Sequence, residues 1–146
     1  ANRKIDEIKD YEFEQQILLQ RLPSRSEVSI NDVDLMTGTE FELFIARLFE
    51  KMGYDSQITK GSGDQGIDVI AQRSGRRLGI QAKCYGTMIS NKAVQEVIAG
   101  IQFYGLDKGI VVTNNLFTKS AIELAQAAGV VLLDRNWLKE KISELF

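Results

Sequence analysis

Apolar positions along the chain follow two rhythms, one helical and one alternating, and their order predicts the architecture. Residues 2 to 22 carry Ile8, Tyr11, Leu18 and Leu22 at three- and four-residue spacings, with Gln15 between them, the pattern of an amphipathic helix. Pro23 stops it, and "PSRSEVSIND" reads as a linker. In "MTGTEFELFIARLFEKMGYD", Thr37 and Glu40 form a capping box, and Phe41, Ile45, Leu48 and Met52 make a buried stripe closed by Gly53. Three strands follow: a short run at 56 to 59, "IDVIA" after the glycine turn "KGSGDQG", and "LGIQAKC" after a turn at "RSGR". Ser90 then caps a helix with Val94, Val97, Ile98 and Ile101 on one face, and "KGIVVTN" is a continuous apolar strand of the kind covered on both sides. Thr118 and Gly129 bracket another helix, "VVLLD" is a strand, and a last helix starts after Asp134. The order α-β-β-β-α-β-α-β-α predicts an α/β fold, a mixed central sheet flanked by helices. The expected division is residues 1 to 30 for the N-terminal amphipathic helix and linker and 31 to 146 for the main domain.

Strand periodicity places the candidate chemistry. In "LGIQAKC", alternation puts Leu78, Ile80, Ala82 and Cys84 on one face and Gly79, Gln81 and Lys83 on the other. In "IDVIA", Asp68 is separated from Ile67, Val69 and Ala71, so pairing of the two strands brings Asp68 beside Gln81 and Lys83. A carboxylate and an amide oxygen are hard ligands suited to magnesium, and a lysine beside them can position or deprotonate a water. Such a set suits phosphodiester hydrolysis. Glu42, at the edge of the buried stripe, is the leading candidate for a second acid. Plainer readings stay open: Asp68 as a turn cap, Gln81 and Lys83 as the wet face of a strand, Glu42 as a helix-surface acid.

Composition narrows the chemistry. The chain has 146 residues, one proline, one cysteine and no histidine. Without an imidazole, histidine general-base nucleases and Ser-His-Asp hydrolases are excluded, so hydrolysis would rest on carboxylates, lysine and a metal. A lone Cys84 permits no internal disulfide and no cysteine-rich zinc site, which fits a reducing, cytoplasmic setting. No apolar run is long enough to span a bilayer. The net charge of −2 conceals polarity, because residues 1 to 50 hold six basic and eleven acidic side chains while residues 71 to 120 hold seven basic and two acidic. That basic middle, with Arg76, Arg77 and Lys92 as candidate contacts, could meet phosphates, although an ordinary solvated surface accounts for the charge equally well.

"FELFIARLFEKMGYDSQITKGSGDQGIDVIA", "GIQAKCY", "AVQEVIAG", "KGIVVTNNLFTKSAIELA" and "VVLLD" together resemble the catalytic domain of the Mrr-like restriction endonucleases, in the PD-(D/E)xK nuclease superfamily. The likeness spans about residues 38 to 142. It implies a restriction-endonuclease-like αβββαβ core and a Mg2+-dependent endodeoxyribonuclease, with Mn2+ able to substitute, acting on double-stranded DNA in the restriction of foreign or modified DNA. Asp68 then matches the metal-binding aspartate, Gln81 and Lys83 the "QxK" half-motif, and Glu42 the acid of the first helix. The carbonyl of Ala82 is expected to complete the metal's ligands. Gln95 matches a glutamine bordering the site, and Gln65 stands in the glycine turn where DNA must approach. Ile67 replaces the proline of the superfamily's name, and neutral Gln81 replaces an acid, which shifts the burden onto Asp68 and Glu42. Cutting both strands implies a homodimer, and base recognition implies a separate domain. Two alternatives are a junction-resolving nuclease of the same superfamily and a DNA-binding module that keeps the fold without the activity.

Overall fold

The computed structural model describes residues 28–59 and 65–146. The helix expected over residues 2 to 22 and most of the glycine turn lie outside the described residues. The elements are α1 (Ile30–Asp34), α2 (Gly38–Lys51), β1 (Asp55–Ile58), β2 (Val69–Arg73), β3 (Arg76–Lys83), α3 (Asn91–Tyr104), β4 (Lys108–Thr113), α4 (Lys119–Ala128), β5 (Val131–Leu133) and α5 (Arg135–Leu145). The five strands form one sheet in the order β1-β2-β3-β4-β5. β1, β2 and β3 are antiparallel neighbours, whereas β4 joins β3, and β5 joins β4, in parallel. The parallel joins require crossovers, and α3 and α4 supply them.

Each face of the sheet has its own core. On one side α2 and α5 bury Phe41, Ile45, Leu48, Leu138 and Ile142 against Val69, Ala71, Leu78, Ile80 and Val112. On the other, α3 and α4 bury Val94, Val97, Ala121 and Ala125 with Ile67 and Val111. Because β4 feeds both cores, its residues from Gly109 to Thr113 are all buried, as its unbroken apolar run predicted. The β2–β3 hairpin closes on Ser74 and Gly75, both at positive φ (53° and 77°), so the strands reverse in a two-residue turn.

The capping expectations meet three outcomes. Thr37 and Glu40 form their reciprocal box. Thr118 and Asp134 each accept the backbone N–H three residues on. Ser90 occupies the N-cap of α3 without a side-chain cap bond.

Two sequence expectations need correction. The end of the supposed linker is structured: Ser29 caps α1 through a second capping box, Val33 is fully buried, and Val28 and Ile30 pack against the α2–α5 core. The expected boundary after residue 30 therefore falls inside a helix, because one turn with a good cap and a single buried valine is too short to show periodicity. Ile67 does not share a face with Val69 and Ala71. It packs into the α3–α4 core, because the chain leaves the regular ladder before β2 begins and alternation cannot be extended back past Val69.

Candidate active site

β3 is the central strand, and its last residues carry the polar set. Gln81 is 3% exposed although it bears an uncharged amide, and Lys83 follows it on the same face. Asp68 sits immediately before β2 and remains tied to the sheet. Its N–H donates to the Ile80 carbonyl (2.8 Å), and its carbonyl accepts the Thr59 N–H (2.9 Å). Its carboxylate turns toward β3, where Oδ2 accepts the Ala82 backbone N–H at 2.8 Å. A side-chain oxygen thus takes a strand N–H at the point where β2 has yet to begin, and this bond fixes the carboxylate beside Gln81.

Asp68, Gln81 and Lys83 line one cavity of about 380 Å³, together with Gly66 and Glu96. Glu96, on α3, is the residue that sequence reasoning missed. Its Oε2 accepts from Gln81 Nε2 at 2.7 Å and lies 3.5 Å from Lys83 Nζ. The helical pattern held the clue: Glu96 is three residues after Ala93 and four before Gly100, both buried against the sheet, so it stands on the inward flank of α3. Gln95, singled out instead, is exposed and donates to Asn91 Oδ1 along the helix (3.1 Å).

Burial works against the charge on Lys83, but the Glu96 carboxylate and the Tyr85 phenol outweigh it and hold the amine above the ordinary lysine range. Lys83 is therefore an ammonium at neutral pH. An ammonium at this position can orient a water or an anion. Its ammonium also lies 5.5 Å from the centre of the Tyr85 ring.

The remaining predicted residues are dispersed. Glu42 is half-buried on α2, the helix packed on the opposite face, and is not among the described residues lining the cavity. Lys92 joins Lys83 and Glu96 around an adjoining cavity of about 240 Å³. Gln65 is exposed beside Gly66. Arg76 and Arg77 begin β3, whereas Lys83 ends it, which places them roughly 20–23 Å from the lysine at about 3.3 Å per strand residue. Arg77 Nη1 also donates to the Tyr104 carbonyl at 3.4 Å. Cys84 is a structural thiol: it contacts the Val33 and Met36 carbonyls, and burial followed by the nearby Asp34 pushes its pKa up.

The cavity suits a hard divalent cation. Gln81 Oε1 is buried without a hydrogen-bond partner, and the Asp68 carboxylate adds a charged oxygen. Among the described residues no three of His, Cys, Asp and Glu stand together as a metal-holding group, so an ion here would draw on amide and carbonyl oxygens as well. Nor is any described helix long and apolar enough to cross a membrane.

Comparison with known proteins agrees with the fold. The DNA modification-dependent restriction endonuclease AspBHI shares the fold with a TM-score of 0.58 at 20% identity, over 71% of this chain and 30% of that one. AF1548, a protein of unknown function, gives 0.57 at 24% identity, over 66% of this chain and 57% of its own. The MspJI restriction endonuclease, solved with a 27-mer oligonucleotide, gives 0.53 at 23% identity over 70% and 27%. Among curated sequences, the uncharacterized protein y4cE of Sinorhizobium fredii (strain NBRC 101917 / NGR234) is 29% identical, over 73% of this chain and 32% of its own length. This chain thus spans about a third of that relative. The family model for the restriction endonuclease Mrr catalytic domain matches residues 33–142, a range that contains all four cavity side chains, and the chain belongs to that family.

Proposed function

We propose that the chain is a metal-dependent DNA endonuclease that hydrolyses phosphodiester bonds of double-stranded DNA in the restriction of foreign or modified DNA. The observation that carries this reading is the convergence of Asp68, Gln81 and Lys83 on one cavity, with the Asp68 carboxylate fixed by the Ala82 N–H and a buried Gln81 oxygen left without a partner. Family membership supports it.

Asp68, Gln81 Oε1 and the Ala82 carbonyl would hold a magnesium ion, for which manganese could substitute; Glu42, on the opposite face of the sheet, stands outside this set. When bound, that ion would supply Lewis acidity toward the scissile phosphate. Hydrolysis adds a water oxygen to phosphorus and releases one ester oxygen, so negative charge grows on the non-bridging oxygens. The Lys83 ammonium is suited to orient the incoming water and to offset that charge. Asp68 cannot swing away without leaving the Ala82 N–H unpaired, which keeps its oxygens directed at the reacting group.

The test is cleavage of supercoiled plasmid in magnesium and in manganese by the intact chain, Asp68→Asn and Lys83→Ala. Each substitution is expected to lower kcat by about 10²–10³-fold, the usual effect of removing one charge-stabilising group. Plasmid left uncut by the intact chain in both metals, or cut equally well by Asp68→Asn, would sink the reading.

A further inference from the structure

The proposed site is short of negative charge. Gln81 is neutral, and Asp68 and Lys83 cancel, so these three offer no net attraction to a divalent cation. The structure places a fourth side chain in the same cavity. Glu96 accepts the Gln81 Nε2 hydrogen bond at 2.7 Å and pairs with Lys83 at 3.5 Å. A carboxylate offers only acceptors, so it can receive the NH2 end of the amide and not its oxygen. The amide orientation follows, and Oε1 becomes the end without a partner. Burying an acceptor without a partner is costly, so a fold that retains one is prepared for a donor or a cation.

Resting on the nuclease reading above, we propose that Glu96 is the positioning acid of this centre. It supplies from α3 the charge that Gln81 lacks on β3, and it turns the amide so that an oxygen is left to face a divalent cation. Backbone packing holds Glu96 in register with Asp68. Gly66, two residues before Asp68, lies so close to α3 that an added Cβ would collide with the Glu96 carbonyl, and a Cβ on Gly100 would collide with the Gln65 carbonyl. The loop leading to Asp68 and the helix turn carrying Glu96 therefore sit backbone against backbone. A purely structural acid, present only to neutralise Lys83, would stabilise the fold without affecting metal affinity.

The experiment is a calorimetric titration of the whole chain with Mn2+ alone, without DNA, paired with metal-free thermal melts. Glu96→Gln keeps an acceptor for Gln81 but removes the charge, and Glu96→Asp keeps the charge on a shorter stem. Glu96→Gln is expected to weaken Mn2+ binding by about 10–100-fold, the scale set by lost supporting partners of metal ligands, with Glu96→Asp between it and the wild type. Wild-type Mn2+ affinity in Glu96→Gln, with binding lost in Asp68→Asn, would overturn the role of Glu96 and leave the nuclease reading intact. Wild-type affinity in Asp68→Asn as well would remove the metal centre and both proposals with it. If Glu96→Gln lowers the metal-free melting temperature too far to titrate, Glu96→Asp decides: unchanged affinity overturns the proposal and weakened affinity supports it.

Discussion

At the scale of the residue, Asp68 has two tasks that substitution can separate. Its carboxylate is offered to the cavity, and the same group accepts the Ala82 N–H. Asp68→Ala leaves that strand N–H without its acceptor and should lower unfolding free energy by about 1–3 kcal/mol, whereas Asp68→Asn keeps an acceptor oxygen and should lose much less. Urea denaturation of both variants checks this, and equal losses would show that the Ala82 bond carries no stability. Gln81 and Lys83 were legible in the sequence because a strand's period of two dictates which side chains share a face, whereas Asp68 stands before β2 and reaches them through its bond to the Ala82 N–H. Glu96 was not, since its contact with Gln81 depends on how α3 is rotated over the sheet. Two adjacent polar residues, Gln95 and Glu96, offered the choice, and only the packing of Ala93 and Gly100 decides it.

At the scale of the element, α3 is the crossover that makes the parallel half of the sheet and also a wall of the cavity. Gly100 allows the close approach. A Cβ there would meet the Gln65 carbonyl and stand 2.6 Å from Ile67 Cγ1. Gly100→Ala gains helix propensity of about 0.8–1 kcal/mol, yet it overpacks this contact, at a typical cost of 1–3 kcal/mol. A net loss of stability together with reduced plasmid cleavage is expected. A variant more stable than the wild type in thermal melts would mean that the loop yields easily. Most elements were legible from hydrophobic period and punctuation, including the double-faced strand β4 and the turn at Ser74 and Gly75. What escaped was α1, too short for a period, and the side taken by Ile67, since backbone that has left the ladder no longer obeys the ladder's alternation.

At the scale of the molecule, a polar clasp joins parts distant in sequence. Arg135, at the start of α5, donates to both carboxylate oxygens of Asp34, at the end of α1, at 2.7 and 3.0 Å. Asn114 Nδ2 donates to the same carboxylate at 2.9 Å, and Arg135 also donates to the Asn114 carbonyl. The Arg135 hydrogen bond, aided by Asn114 and opposed by burial, holds the Asp34 pKa below its ordinary value. A depressed carboxylate stabilises the fold above the unfolded-state pKa near 4, and the contribution fades as pH falls through the lower folded-state value. Both side chains are 34% exposed, so solvent screening limits the clasp to about 1 kcal/mol or less. Asp34→Asn should therefore be slightly less stable than the wild type at pH 7 and indistinguishable from it near pH 2, as measured by urea midpoints. A stability gap that widens on acidification would refute this account.

The seating of the Gly66 loop on the backbone of α3 has one more result. With Asp68 on one side of that contact and Glu96 on the other, this wall of the cavity is preorganised: the entropy of ordering it is lost once, during folding, and not again at each encounter with a ligand.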